Sequence, residues 1–144
     1  MKVYSVIKGK FKSIESVADE MFSKKILGEG VAIEPSSNVI VSPCDGEIIM
    51  SFPTKHAIGI KTKYGNEILI HIGVDTVELN GRFFEQFVKQ GDKVKTGDTL
   101  CVVNFSALKN RNYITDVIVI STNSKIKINE KIDIVDESVY LFEL

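Results

Sequence analysis

The chain has no tryptophan, only two histidines and two cysteines, and three prolines among its 144 residues. Each scarcity excludes something. Cys44 and Cys101 stand far apart and neither belongs to a CxxC unit, so a metal knuckle or a dithiol redox centre is not indicated. Both read as buried, reduced thiols. Neither sign of charge is in excess: 18 basic and 19 acidic residues leave a formal net charge of -1, and their scatter offers nucleic acid no electrostatic footprint. No apolar run is long enough to span a bilayer, and the first residues, Met1 to Gly9, lack the apolar stretch of an export signal. A cytoplasmic protein without membrane insertion is expected. No GxxxxGK[ST] or GxGxxG loop occurs, so a phosphoryl donor, if there is one, is another protein rather than ATP.

With 44% hydrophobic residues, a chain of this length buries an ordinary core, and nothing asks for more than one domain over residues 1–144. Short β-branched runs dominate: Val3 to Lys8, Gly30 to Glu34, Val39 to Ser42, Glu47 to Phe52, Ala57 to Thr62, Glu67 to Ile72, Lys93 to Val103 and Thr115 to Ser121. They are bounded by turn pairs such as Asp45-Gly46, Gly65-Asn66, Asn80-Gly81, Gly91-Asp92 and Gly97-Asp98. The spacing predicts an all-β fold, an antiparallel β-sandwich or barrel. Short helices are expected only within Ser16 to Lys25, Arg82 to Lys89 and Ser106 to Asn112. The segments Ser42-Pro43-Cys44-Asp45-Gly46 and Gly91-Asp92-Lys93-Val94-Lys95-Thr96-Gly97-Asp98 are similar to turns of barrel-sandwich hybrid folds. No lysine sits in the Met-Lys-Met or Asp-Lys-Ala setting of a lipoyl or biotinyl carrier.

The chemistry concentrates at the two histidines. In Ile68-Leu69-Ile70-His71-Ile72, strand alternation sets Ile68, Ile70 and Ile72 against Leu69, His71 and Gly73. The all-isoleucine set suits the core, so His71 points out. The preceding run carries His56, and Lys63-Tyr64-Gly65-Asn66 is a good hairpin connection. A loop of those residues would pair Thr62 with Glu67, Ile58 with His71 and His56 with Gly73, making the histidines diagonal neighbours roughly 7 to 8 Å apart at Cα. An even loop keeps them on one side; an odd loop separates them. Two imidazoles on one face can bind a metal, act as nucleophile and helper, or be unrelated. A neutral imidazole is nucleophilic near neutral pH, and a second ring can donate to an oxyanion. Thr54 can hold the other nitrogen of His56.

With these residues assembled, the chain resembles the glucose-type enzyme IIA family of the bacterial phosphoenolpyruvate-dependent sugar phosphotransferase system. The resemblance rests on Met21 to Pro35, Ser42 to Gly46, Thr54-Lys55-His56-Ala57, Leu69-Ile70-His71-Ile72-Gly73-Val74-Asp75-Thr76-Val77-Glu78-Leu79 and Gly91 to Asp98. It implies a phosphoryl relay in which His71 accepts the group on Nε2 from a phosphohistidine of the carrier HPr and passes it to the IIB domain of a sugar permease. It also implies that His56 steadies the phosphoryl oxygens, that Thr54 holds His56, and that the carbonyl of Gly73 fixes the tautomer of His71. Asp19 and Asp75 match rim carboxylates that meet donor arginines. An apolar docking ring is expected from Phe22, Phe52, Ile58, Leu69 and Ile72, where Leu69 and Ile72 replace phenylalanines common in the family. No metal or cofactor is expected. The match begins almost at Met1, so a free protein without a membrane-seeking tail is expected.

Two other readings follow from the same residues. His71-Ile72-Gly73-Val74-Asp75 fits the HxGxD run of zinc hydrolases of the lysostaphin type, but those need a later HxH, and no histidine follows His71. A purely regulatory module would bind permeases or metabolic enzymes according to phosphorylation state.

Overall fold

The computed structural model describes all 144 residues. In chain order its strands and helices are β1 (Lys2–Tyr4), β2 (Gly9–Ser13), α1 (Glu20–Ser23), β3 (Glu29–Pro35), β4 (Val39–Val41), β5 (Gly46–Ser51), β6 (Ala57–Lys61), β7 (Glu67–Ile72), β8 (Phe84–Gln86), β9 (Lys93–Val94), β10 (Thr99–Val103), α2 (Phe105–Asn110), β11 (Val117–Ser121), β12 (Lys127–Ile128), β13 (Ile134–Val135) and β14 (Tyr140–Glu143). Two 3-10 turns, Ile14–Ser16 and Thr76–Leu79, complete the set. No helix is long and apolar enough to cross a membrane.

Every strand pairing is antiparallel. An eight-stranded sheet in the order β13-β2-β3-β11-β7-β6-β5-β9 faces two three-stranded sheets, β1-β14-β12 and β4-β10-β8. Between them lies the main core of 25 buried residues, which takes Ile68, Ile70 and Ile72 from β7, Val117 and Val119 from β11, and Leu100, Cys101 and Val103 from β10. Alternation sends the intervening side chains to the other face of the large sheet. There a second cluster of 9 residues forms from Ala32, Ala57, Leu69, Ile118 and Ile120, covered by Ile14, Val17 and Phe22 and closed off by Val74. The expected all-β sandwich is present, and the isoleucine set of β7 does face the main core. Both cysteines are free and buried, and burial pushes each thiol up to about 12.

Several local expectations are corrected. The stretch from Arg82 to Lys89 holds a strand, β8, that pairs with β10; Phe83 sits at φ 76°, outside helical space, and diverts the chain. Within Ser16 to Lys25 only Glu20–Ser23 is α-helical, opened by the Asp19 carboxylate accepting from Met21 N at 2.9 Å. The run from Lys93 to Val103 is two strands, split where Lys95 N donates to the Asp98 carboxylate at 2.8 Å. The run from Val3 to Lys8 is a strand only to Tyr4. Strands β12 to β14 carry no strong alternation and were not expected.

The β6-β7 register is also corrected. Lys61 pairs with Glu67 and Ala57 with His71, so the loop spans residues 62–66 and includes Thr62. Thr62 closes the loop, its main-chain N donating to Asn66 O at 2.9 Å and its Oγ1 accepting from Tyr64 N and Asn66 N. The odd loop puts His71 on the face of Ala57 and Leu69, opposite Ile58.

Candidate active site

Despite that register, the two rings meet. The His56 and His71 centroids are 5.2 Å apart with planes at 81°. His56 lies one residue before β6, where its main-chain O still accepts from Ile72 N at 2.8 Å. The turn before it explains the ring's direction: Lys55 N donates to Phe52 O at 2.9 Å, and Lys55 takes φ 57°. The chain therefore enters the ladder from the side, and the imidazole is turned toward His71 instead of following strand parity. Pro53 was the sequence signal for this turn.

His71 is held by its own chain. Its Nδ1 lies 2.8 Å from the main-chain O of Gly73. A carbonyl only accepts, so Nδ1 carries the proton and Nε2 keeps its lone pair. Gly73 adopts φ 75°, which turns its carbonyl back toward the ring; a Cβ there would meet Thr76 Cγ2 at 2.6 Å and Ile114 O at 3.0 Å. His56 Nδ1 lies 2.7 Å from Thr54 Oγ1. When that hydroxyl donates, the His56 proton sits on Nε2, free to bond an anion.

Aromatic rings brace the pair. Phe22, 3% exposed, packs against His71 with centroids 4.9 Å apart, while Phe52, 39% exposed, stacks on His56 at 5.6 Å with planes at 21°. Burial lowers the pKa of His71 to about 4, and the adjacent His56 adds to the effect; the Gly73 carbonyl, Asp19 and Asp75 oppose it. Burial also lowers His56. Both rings are therefore neutral near pH 7, the state in which an imidazole nitrogen is a nucleophile.

The remaining candidates divide. Asp75 is exposed at φ 61° and caps the following 3-10 turn without a side-chain bond, so its carboxylate is uncommitted. Asp19 caps α1 beside Phe22. Leu69 belongs to the small cluster under the histidines. Ile58 and Ile72 are corrected: both are fully buried in the main core, on the other face of the sheet, and cannot contribute to an exposed ring. Exposed apolar residues that sequence reasoning missed lie on the site's own segments. They are Met21 on α1, Ile26 and Leu27 just after it, Val77 on the turn after Gly73, and Ile114, whose carbonyl bonds Val74 N. Alternation gave no signal for them because they stand in loops and short turns. The Met21 to Leu27 run of closely spaced large side chains was the available clue.

A cavity of about 850 Å³ lies by the β6-β7 hairpin loop and the turns around Gly46 and Lys95, and neither histidine lines it. No group of three or more His, Cys, Asp or Glu side chains is placed to hold a metal ion. Two histidines fall short of the three protein ligands of a catalytic zinc site.

Residues 1–126 match the family described as phosphoenolpyruvate-dependent sugar phosphotransferase system, EIIA 1. The chain belongs to that family. Among curated relatives of glucose-type EIIA, it is 44% identical over 124 residues to the glucose-specific EIIA component of Bacillus cereus, covering 85% of this chain and 75% of that one. The glucose-specific EIIA component of Staphylococcus aureus is 41% identical over 129 residues, covering 88% and 78%. The glucosamine-specific EIICBA component of Bacillus subtilis is 47% identical over 121 residues, which are 83% of this chain and 19% of that longer protein. The solved structure of glucose permease IIA from Mycoplasma capricolum superposes with a TM-score of 0.91 at 39% identity, covering 99% of this chain and 94% of that one. As an EIIA component the chain has a transferase role in the sugar phosphotransferase system. The zinc hydrolase reading finds no support.

Proposed function

We propose that the whole chain, residues 1–144, is one cytoplasmic IIA domain and that His71 is its phosphoacceptor. Nε2 of His71 attacks the phosphorus of a phosphohistidine on HPr; the new N–P bond forms as the donor N–P bond breaks, and the donor ring leaves with its electron pair. The same step in reverse sense delivers the group to the IIB domain of a sugar permease. The observation that carries this reading is the 2.8 Å contact between His71 Nδ1 and Gly73 O, which leaves Nε2 as the free base. Phosphoryl transfer asks the protein for alignment and charge stabilisation more than for covalent chemistry. His56, with Thr54 on its Nδ1, supplies a donor to the phosphoryl oxygens, and the carboxylates of Asp19 and Asp75 meet arginines of the donor.

Docking is assigned to Phe52 and the exposed apolar residues around it, with Phe22 and Leu69 as the packed floor. An exchange of partners calls for a transient interface of about 1,200 Å² or less. Incubation with phosphoenolpyruvate, enzyme I and HPr is expected to add one acid-labile phosphate, and His71→Ala to add none; equal labelling of His71→Ala would sink the assignment. His56→Gln is expected to accept phosphate and pass it to IIB poorly.

A further inference from the structure

The acceptor ring is oriented by a peptide group that has no regular secondary structure behind it. Gly73 C=O and Val74 N–H belong to one trans peptide unit, so they point in opposite directions. The carbonyl faces His71 Nδ1, and Val74 N donates to Ile114 O at 3.0 Å. The preceding peptide is held from the same side, Gly73 N donating to Asp116 O at 2.9 Å. Both peptides that set the direction of the Gly73 carbonyl thus hang on residues 114–116, and β11 begins only at Val117.

One side-chain contact ties that segment down. The Asp116 carboxylate accepts from Lys12 Nζ at 2.9 Å, with side-chain exposures of 6% and 30%. Lys12 pairs with Ala32, Ala32 with Ile118, and Ile118 with His71, so the lysine starts in the same cross-sheet row as the acceptor, three strands away. Asp116 lies two residues before Ile118 and on the same face. The ion pair therefore bridges from β2 over β3 to the entry of β11. Residues 113–116 make no other side-chain hydrogen bond.

We infer that Lys12 and Asp116 are positioning residues for phosphoryl uptake: their ion pair holds the Ile114 and Asp116 carbonyls, which aim the Gly73 carbonyl that fixes the tautomer of His71. This rests on the relay reading above. Without Lys12, a carboxylate nearly out of water loses its partner and turns toward solvent, carrying its own main-chain carbonyl with it.

The test uses the full chain labelled with 15N-histidine. In the unphosphorylated protein the nitrogen shifts of His71 report which nitrogen holds the proton. Lys12→Met is expected to populate the Nε2–H tautomer and to slow phosphoryl uptake from phospho-HPr on the order of tenfold or more. Lys12→Arg is expected to restore both. Asp116→Asn, which keeps shape and an acceptor oxygen, is the milder variant should Lys12→Met fail to fold, with a smaller shift in the same direction. A folded Lys12→Met or Asp116→Asn with the parent tautomer and parent uptake rate would overturn the inference. If the parent chain accepts no phosphate, the relay reading fails, and the tautomer measurement still decides what the pair does to His71.

Discussion

The main-chain oxygen of Gly73 and Nδ1 of His71 are 2.8 Å apart, so the residue that turns the chain after β7 also decides which nitrogen of that ring is free. Any side chain at residue 73 disturbs both. Gly73→Ala must hold φ 75° against Thr76 Cγ2 and Ile114 O. It is expected to cost about 1–3 kcal/mol of stability and to slow phosphate uptake out of proportion to that loss. Urea unfolding and an uptake time course check the two parts separately.

Phe22 and Phe52 both touch a histidine, yet their removal should read differently. Phe22 is buried in the small cluster, so Phe22→Ala is expected to destabilise by about 3 kcal/mol or more and to loosen His71. Phe52 stacks on His56 at the surface, so Phe52→Ala should change stability by about 0.5 kcal/mol while lowering transfer to IIB. Equal losses of stability for the two variants would contradict this division.

Acid should destabilise the protein through His71. Its folded pKa of about 4 lies below the ordinary 6.5, so between those values the unfolded chain binds the proton and the folded chain does not. The contribution is full above pH 6.5 and is lost as pH falls toward 4, with a slope from this one group approaching about 1.4 kcal/mol per pH unit. His56 is lowered in the same direction. Denaturant midpoints across that range, compared with His71→Gln, should show a shallower fall for the variant.

Ile58 supplies the control for the proposed docking surface. It lies in the main core, on the sheet face away from the histidines. Ile58→Ala is expected to cost about 2–5 kcal/mol and to leave the transfer rate per folded molecule unchanged. Slowed transfer by fully folded Ile58→Ala would return this position to the partner-facing surface.

Much of this arrangement can be read from the chain because it depends on periodicity. Ile68, Ile70 and Ile72 announce a buried face, and that alone turns His71 outward. The meeting with His56 cannot be read that way. Parity across a hairpin depends on whether Thr62 belongs to the strand or to the loop, and its hydroxyl, bonding Tyr64 N and Asn66 N, settles it for the loop. Strict alternation from that register would separate the histidines. The turn from Phe52 to Lys55 brings them together, a backbone event marked in the sequence only by Pro53. Ile58 leaves the expected docking ring for the same reason, because the five-residue loop pairs Ala57 with His71 and turns Ile58 to the opposite face; Ile72 leaves it because it directly follows His71 in β7, and adjacent strand residues lie on opposite sides.

The large sheet separates the core cluster of 25 residues on one side from the cluster of 9 under the histidines on the other. It works as a bulkhead. A substitution at Leu69 reshapes the smaller compartment and meets no side chain of the larger one, so the face that carries the histidines can be repacked separately from the core that holds the sheets together.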